Sequence, residues 1–96
     1  MAVEWDEAKR QSNLSKHGLD FADAEQIFEY DVWEIEDNRE NYGEERLIAI
    51  GMLRGRVVVL VYTPKANGLR AISFRKADSD EERLYFEYVF DGLGTD

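Results

Sequence analysis

The chain has 96 residues, of which 44% are hydrophobic and 12% aromatic, with a formal net charge of −9 and no cysteine. That is enough apolar material for one core in a single domain over residues 1–96, and it argues against disorder. The absence of cysteine excludes disulfides, thiolate zinc sites and cysteine nucleophiles and suits a reducing compartment, while the longest apolar run, Val57 to Tyr62, is too short to span a bilayer.

The amino terminus lacks the basic and apolar regions of a signal peptide, so a soluble cytoplasmic protein is expected. After a short apolar start at Val3 and Trp5, Asp6 reads as the N-cap of a helix that ends at Lys16-His17, with Gly18 as the left-handed residue beyond it. Asp20 reads as a second N-cap. Phe21, Ala24, Ile27 and Phe28 then recur at helical spacing. From Val32 the period changes to two: Trp33 and Ile35 alternate with Glu34 and Glu36, which predicts a half-buried strand. A polar turn over residues 37–43 separates it from a strand at Arg46 to Gly51. Arg54-Gly55 turns the chain into a third strand, Arg56 to Tyr62, which is apolar on both faces and so expected to be central and covered by helices. Pro64 to Gly68 forms the next turn, and Leu69 to Lys76 the last strand, alternating Ala71, Ser73 and Arg75 against Arg70, Ile72 and Phe74. Ser79 with Glu82, or Asp78 with Glu81, caps a terminal helix. The expected fold is α+β: a short β start, two N-terminal helices, an antiparallel meander sheet of about four strands, and a C-terminal helix.

Charge is segregated along this order. Arg46 to Lys76 holds seven arginines and lysines and no acidic residue, although the chain as a whole should repel nucleic acid. Arg46, Arg70 and Arg75 lie on strands that a meander brings side by side, and an arginine fork matches phosphate oxygens. Pairing with the carboxylates of residues 31–45 and 78–87 is the alternative. His17 is the only histidine and hence the first candidate for proton transfer near neutral pH; a structural role at a helix C-terminus is the alternative there. Among the aromatics, Trp5, Trp33 and Tyr85 read chiefly as core, while Tyr62 and Phe74 flank cationic strand ends and are the better candidates for stacking on a base.

Other chemistries find little support. Glu34, Glu36, Asp37, Glu44 and Glu45 are numerous enough to bind magnesium, but the only Glu-x-Lys, Glu7-Ala-Lys9, falls on the first helix. One histidine and no cysteine supply transition metals poorly, so neither a metal nor another cofactor is expected. No Gly-x-Ser-x-Gly motif and no glycine-rich helix-opening loop is present. A duplex-binding regulator fits badly with the acidic majority.

Trp5-Asp6-Glu7-Ala8-Lys9, Asn13, Lys16-His17-Gly18, Phe21, Ala24 and Phe28, followed by Glu45-Arg46, Val59 to Thr63 and Arg70-Ala-Ile-Ser-Phe-Arg-Lys-Ala77, resemble the BrnT family of type II toxin–antitoxin toxins in order and spacing. The resemblance covers about residues 3–88. It implies a RelE-like fold and a metal-independent endoribonuclease that inhibits translation. It also implies a BrnA-like ribbon-helix-helix antitoxin as partner, with a toxin–antitoxin hetero-oligomer or a homodimer as the assembly and no membrane association. By motif it carries over Lys16 and His17 from Lys-His-Gly, Arg46 from Glu-Arg, and Arg70, Arg75 and Lys76 from the final strand. Within that frame Arg70 and Arg75 are expected to stabilise charge and Arg46, Lys16 and Lys76 to bind substrate. His17 or Tyr62 would move protons, and Phe74 or Tyr62 would stack. After Lys76 the chain departs from the family pattern: Asp78-Ser-Asp-Glu-Glu-Arg83 stands where a basic helix is usual. That departure supports the alternative of a catalytically degenerate toxin homologue that acts as an antitoxin-binding module.

Overall fold

The computed structural model of the chain describes residues 1–94. Strand β1 (Ala2–Glu4) leads into helix α1 (Glu7–His17) and a 3-10 helix (Phe21–Glu29). Strands β2 (Trp33–Glu36), β3 (Leu47–Leu53), β4 (Arg56–Lys65) and β5 (Gly68–Lys76) follow, and helix α2 (Ser79–Gly94) ends the described chain. The caps are those the sequence predicts. The Asp6 carboxylate accepts the Lys9 N–H at 3.0 Å, and Gly18, at φ 73°, closes α1 by donating its N–H to the Leu14 carbonyl at 2.8 Å. Asp20 accepts the Ala22 N–H at 2.9 Å. At α2 it is Asp78 and Glu81, not Ser79 and Glu82, that form the reciprocal capping box, each carboxylate accepting the other residue's N–H at 2.8–2.9 Å.

The second helix differs from expectation in kind. Phe21, Ala24 and Ile27, all fully buried, recur at intervals of three. A 3-10 helix, with three residues per turn, stacks them in one line against the sheet, whereas an α-helix would rotate them apart.

The strand order is β1-β5-β4-β3-β2. Strands β2 to β5 form the expected antiparallel meander, and Arg54 and Gly55, both at positive φ, make the tight β3–β4 hairpin. The correction lies at the other edge. The short β start does form a strand, but it joins the sheet as a fifth strand parallel to β5, Val3 opposite Leu69, so the sheet is mixed. A Cβ at Gly68 would stand 1.8 Å from the Ala2 carbonyl oxygen, so only glycine allows this approach. Beyond Glu4 the task of covering β5 passes to α1. The Asn13 amide donates to the Phe74 carbonyl at 2.8 Å and accepts the Phe74 N–H at 3.1 Å, in place of a neighbouring strand. It also donates to the Leu19 carbonyl at 3.0 Å.

Strand β4 is central, as its composition predicts, and apolar groups cover both of its faces. One face joins Val58, Leu60 and Tyr62 to Phe21, Ala24, Ile27, Leu69 and Phe74. The other joins Val57, Val59 and Ile50 to Tyr85 and Val89 of α2. The Tyr85 hydroxyl donates to the Asp31 carbonyl at 2.8 Å and ties α2 to the segment before β2. No helix among the described residues is long and apolar enough to cross a membrane.

Candidate functional site

The face of the sheet that α2 shares is also the face that carries the arginines. In the antiparallel ladder Arg75 stands opposite Val59 and Arg70 opposite Thr63. Val59 and Thr63 are four residues apart on β4 and so point the same way. Arg70 and Arg75 are five apart and would diverge on a regular strand. A register shift between Val61 and Tyr62 corrects this: Ser73 pairs with Val61 and Ala71 with Tyr62, leaving Ile72 as the extra residue. The simple alternation read from the sequence, with Arg70 and Arg75 on opposite faces, therefore fails at Ile72.

Glu44, from the loop before β3, is the hub of the first group. Its carboxylate accepts from Arg70 Nη2 at 2.7 and 2.8 Å, from Thr63 Oγ1 at 3.2 Å and from Arg46 Nε at 3.4 Å. The Arg46 guanidinium also lies 4.0 Å above the Tyr42 ring, a cation–π contact. Loss of water at Glu44 works to raise its pKa, but Arg70, Thr63 and Arg46 together outweigh this and hold the carboxyl below its ordinary range. A second group forms around Arg75, whose two Nη atoms each donate to one Glu81 oxygen at 2.8 Å. The shared fork raises the Arg75 pKa and lowers that of Glu81. Arg39 stands close enough to Arg75 for its charge to oppose that of the second guanidinium. It is itself held by Asp37 through two 2.7 Å bonds.

Lys16 and His17 lie elsewhere. They line a recess of about 230 Å³ between α1 and β5, together with Lys9, Ser12, Asn13, Ile72 and Ser73. Ser73 belongs to both places, since it sits on the arginine face of β5 and also borders this recess. Lys76, exposed at the end of β5, pairs with Val58 and so points to the opposite face from Arg75. Tyr62 and Phe74 do not join the arginines either. Phe74 is fully buried on the α1 side of the sheet, where no base can reach its ring. Tyr62 is 7% exposed on that same side, packs edge-on against Phe28 at 5.8 Å, and donates its hydroxyl to Glu34. Burial, followed by the Glu34 carboxylate, pushes its pKa up, which opposes its use as a base.

The structure thus joins Arg46 and Arg70 through Glu44, sets Arg75 on the same face in a second group, and places Lys16 and His17 apart from both. Sequence reasoning did not single out Thr63 or Arg39, and it met Glu44 only as a possible metal ligand and within the carboxylates of residues 31–45 that could pair the arginines, the pairing found here. Glu44 belonged to an acidic run that reads as a solvated face, and Arg39 to a polar turn with no periodicity. Among the described residues, no group of three or more histidines or carboxylates is arranged to hold a metal ion. Chemically, the arginine face can bind two or three oxygens of an anion and stabilise charge on it.

A family model described as "Ribonuclease toxin, BrnT, of type II toxin-antitoxin system" matches residues 5–81. No protein of curated function matches the chain.

Proposed function

Since the chain belongs to the BrnT family of ribonuclease toxins of type II toxin–antitoxin systems, we propose that its arginine face binds and cleaves single-stranded RNA without a metal, and so inhibits translation in the cytoplasm. The observation that carries this reading is the common direction of Arg70 and Arg75 across the Ile72 bulge, with Arg46 joined to Arg70 through Glu44. Arg46 and Arg70 share one carboxylate there, and Arg75 faces the same side of the sheet farther along β5.

Metal-free cleavage removes a proton from the 2′-hydroxyl and forms a bond from that oxygen to phosphorus. It breaks the bond from phosphorus to the 5′-oxygen, which takes up a proton. Arg70 and Arg75 stabilise the charge that develops on the non-bridging oxygens, and Arg46 positions the phosphate. The Glu44 oxygens occupy the Arg70 guanidinium as two phosphate oxygens would, so RNA binding displaces or shares that carboxylate. His17 sits with Lys16 in the separate recess between α1 and β5, away from the arginines, and is given no part in the bond change. The fold is read as RelE-like, and the antitoxin partner that the family implies is read as a BrnA-like ribbon-helix-helix protein that forms a hetero-oligomer with this chain.

Purified protein incubated with RNA in the presence of a chelator is expected to cut it, and Arg70→Ala to cut roughly a hundred- to a thousandfold more slowly. Full activity of Arg70→Ala would remove the arginine face from the reaction. A second reading rests on a specific observation: every arginine of the face already has a carboxylate partner. On that reading the chain is a degenerate toxin that retains only antitoxin binding. Induced expression that leaves growth and RNA intact, while a stable complex forms with the neighbouring gene's product, would favour it.

A further inference from the structure

The recess between α1 and β5 differs electrostatically from the arginine face. Arg46 and Arg70 share Glu44, Arg75 holds Glu81, and Arg39 holds Asp37. Lys9 and Lys16, by contrast, have no ion-pair partner among the described residues. They are seven residues apart on α1, two turns of helix, and so lie on one stripe with Ser12 and Asn13 between them. Asn13 fixes that stripe to the β5 edge through both of its Phe74 hydrogen bonds. The lysines therefore flank a recess whose floor is rigid, with the Ser12 and Ser73 hydroxyls and the His17 ring as further hydrogen-bonding groups.

An incoming phosphate at Arg75 must displace a bidentate carboxylate. At Lys9 and Lys16 it displaces only water and counterions, so the first stable contact with a polyanion falls here. We propose that this recess is a second phosphate subsite, which holds a backbone phosphate of the same single-stranded RNA outside the bond that is cut. The inference rests on the reading of the arginine face as the place where RNA is cleaved, and Ser73, common to both, marks where the strand crosses the β5 edge. Lysine suits such a subsite because a mobile point charge can follow a backbone without demanding one register.

The test uses the full chain and a non-cleavable 2′-O-methyl RNA long enough to reach both places, with affinity measured over a range of salt concentrations. For single strands the slope of log affinity against log salt falls by about 0.7 for each phosphate that is no longer neutralised. The double variant Lys9→Gln/Lys16→Gln is expected to lower the slope by about 0.7, and Lys9→Arg/Lys16→Arg to restore it with the same thermal unfolding as wild type. A double glutamine variant with the wild-type slope overturns the subsite. If Arg70→Ala still weakens binding in that case, the cleavage reading stands and only the subsite falls. A wild-type chain with no measurable affinity for the RNA overturns both together.

Discussion

Arg70 and Arg75 point to the same side of the sheet although they are five positions apart along one strand. The single extra residue at Ile72 makes this so, because Arg70 pairs with Thr63 and Arg75 with Val59. A β-bulge here re-aims a side chain toward the site, a use that bulges commonly serve.

Arg75 stabilises charge in the proposed reaction, so Arg75→Ala should slow RNA cleavage by roughly a hundred- to a thousandfold in a purified assay and abolish growth inhibition on induction. Arg75→Lys should recover little, since an ammonium cannot reproduce the fork that now spans both Glu81 oxygens. Wild-type cleavage by the alanine variant would place Arg75 outside the reacting centre.

Glu81 is shared between the Arg75 guanidinium and the Asp78 N–H. Glu81→Gln removes a competitor for Arg75 and is expected to tighten RNA binding severalfold. The same change weakens the α2 capping box and lowers stability by about 1 kcal/mol. Titration with non-cleavable RNA and denaturant melts read the two effects separately. Weaker binding would show that Glu81 orients Arg75 for RNA instead of competing with it.

Removal of the Asn13 side chain leaves the Phe74 N–H and C=O without partners at a buried strand edge. Asn13→Ala should destabilise the protein by about 2–4 kcal/mol, measured by urea unfolding. A loss below about 0.5 kcal/mol would mean that water takes over both bonds.

Asp37 carries the clearest acid dependence. Hydrogen bonds from the Arg39 side chain, which outweigh the effect of burial, hold its pKa at about 2 in the folded chain. An unfolded aspartate titrates near about 3.9. Its contribution to stability is therefore complete above about pH 4 and is lost as pH falls through about 2. The difference in urea midpoint between wild type and Asp37→Asn should shrink over that interval and be constant above it. A difference that stayed constant down to pH 2 would contradict the ion pair.

Tyr62→Phe should keep its cleavage rate within a few-fold of wild type, because the phenol faces Glu34 and the 3-10 helix and not the arginines. A loss comparable to that expected for Arg75→Ala would return the phenol to the reaction.

Local signals were the most legible in the sequence. Asp6, Gly18 and Asp20 mark the ends of their helices because side-chain caps and left-handed backbone depend on one residue each, and Arg54-Gly55 marks its hairpin for the same reason. The three arginines stood out through segregated charge. Three features were hidden for identifiable reasons. A three-residue β1 carries too short a pattern to announce a parallel partner sixty-odd residues away. Ile72 looks like an ordinary strand residue, since nothing in its side chain marks it as the inserted one. Glu44 acts from a loop whose shape depends on tertiary contacts with Arg70 and Thr63. Phe74 shows the converse limit, for its place beside two cations in sequence concealed a ring wholly inside the core.

The seat of β1 and α1 against β5 also sets an order of events for a chain made from its amino terminus. The partners of β1 and α1 on β5, Gly68 to Arg70 for β1 and Phe74 for Asn13, come far later in the order of synthesis, Asn13 and Phe74 being 61 positions apart. Contacts this distant close late and make folding slow. Until β5 has been synthesised, α1 has no edge to dock on and no arginine face exists. The protein can acquire its proposed activity only after β5 has been made.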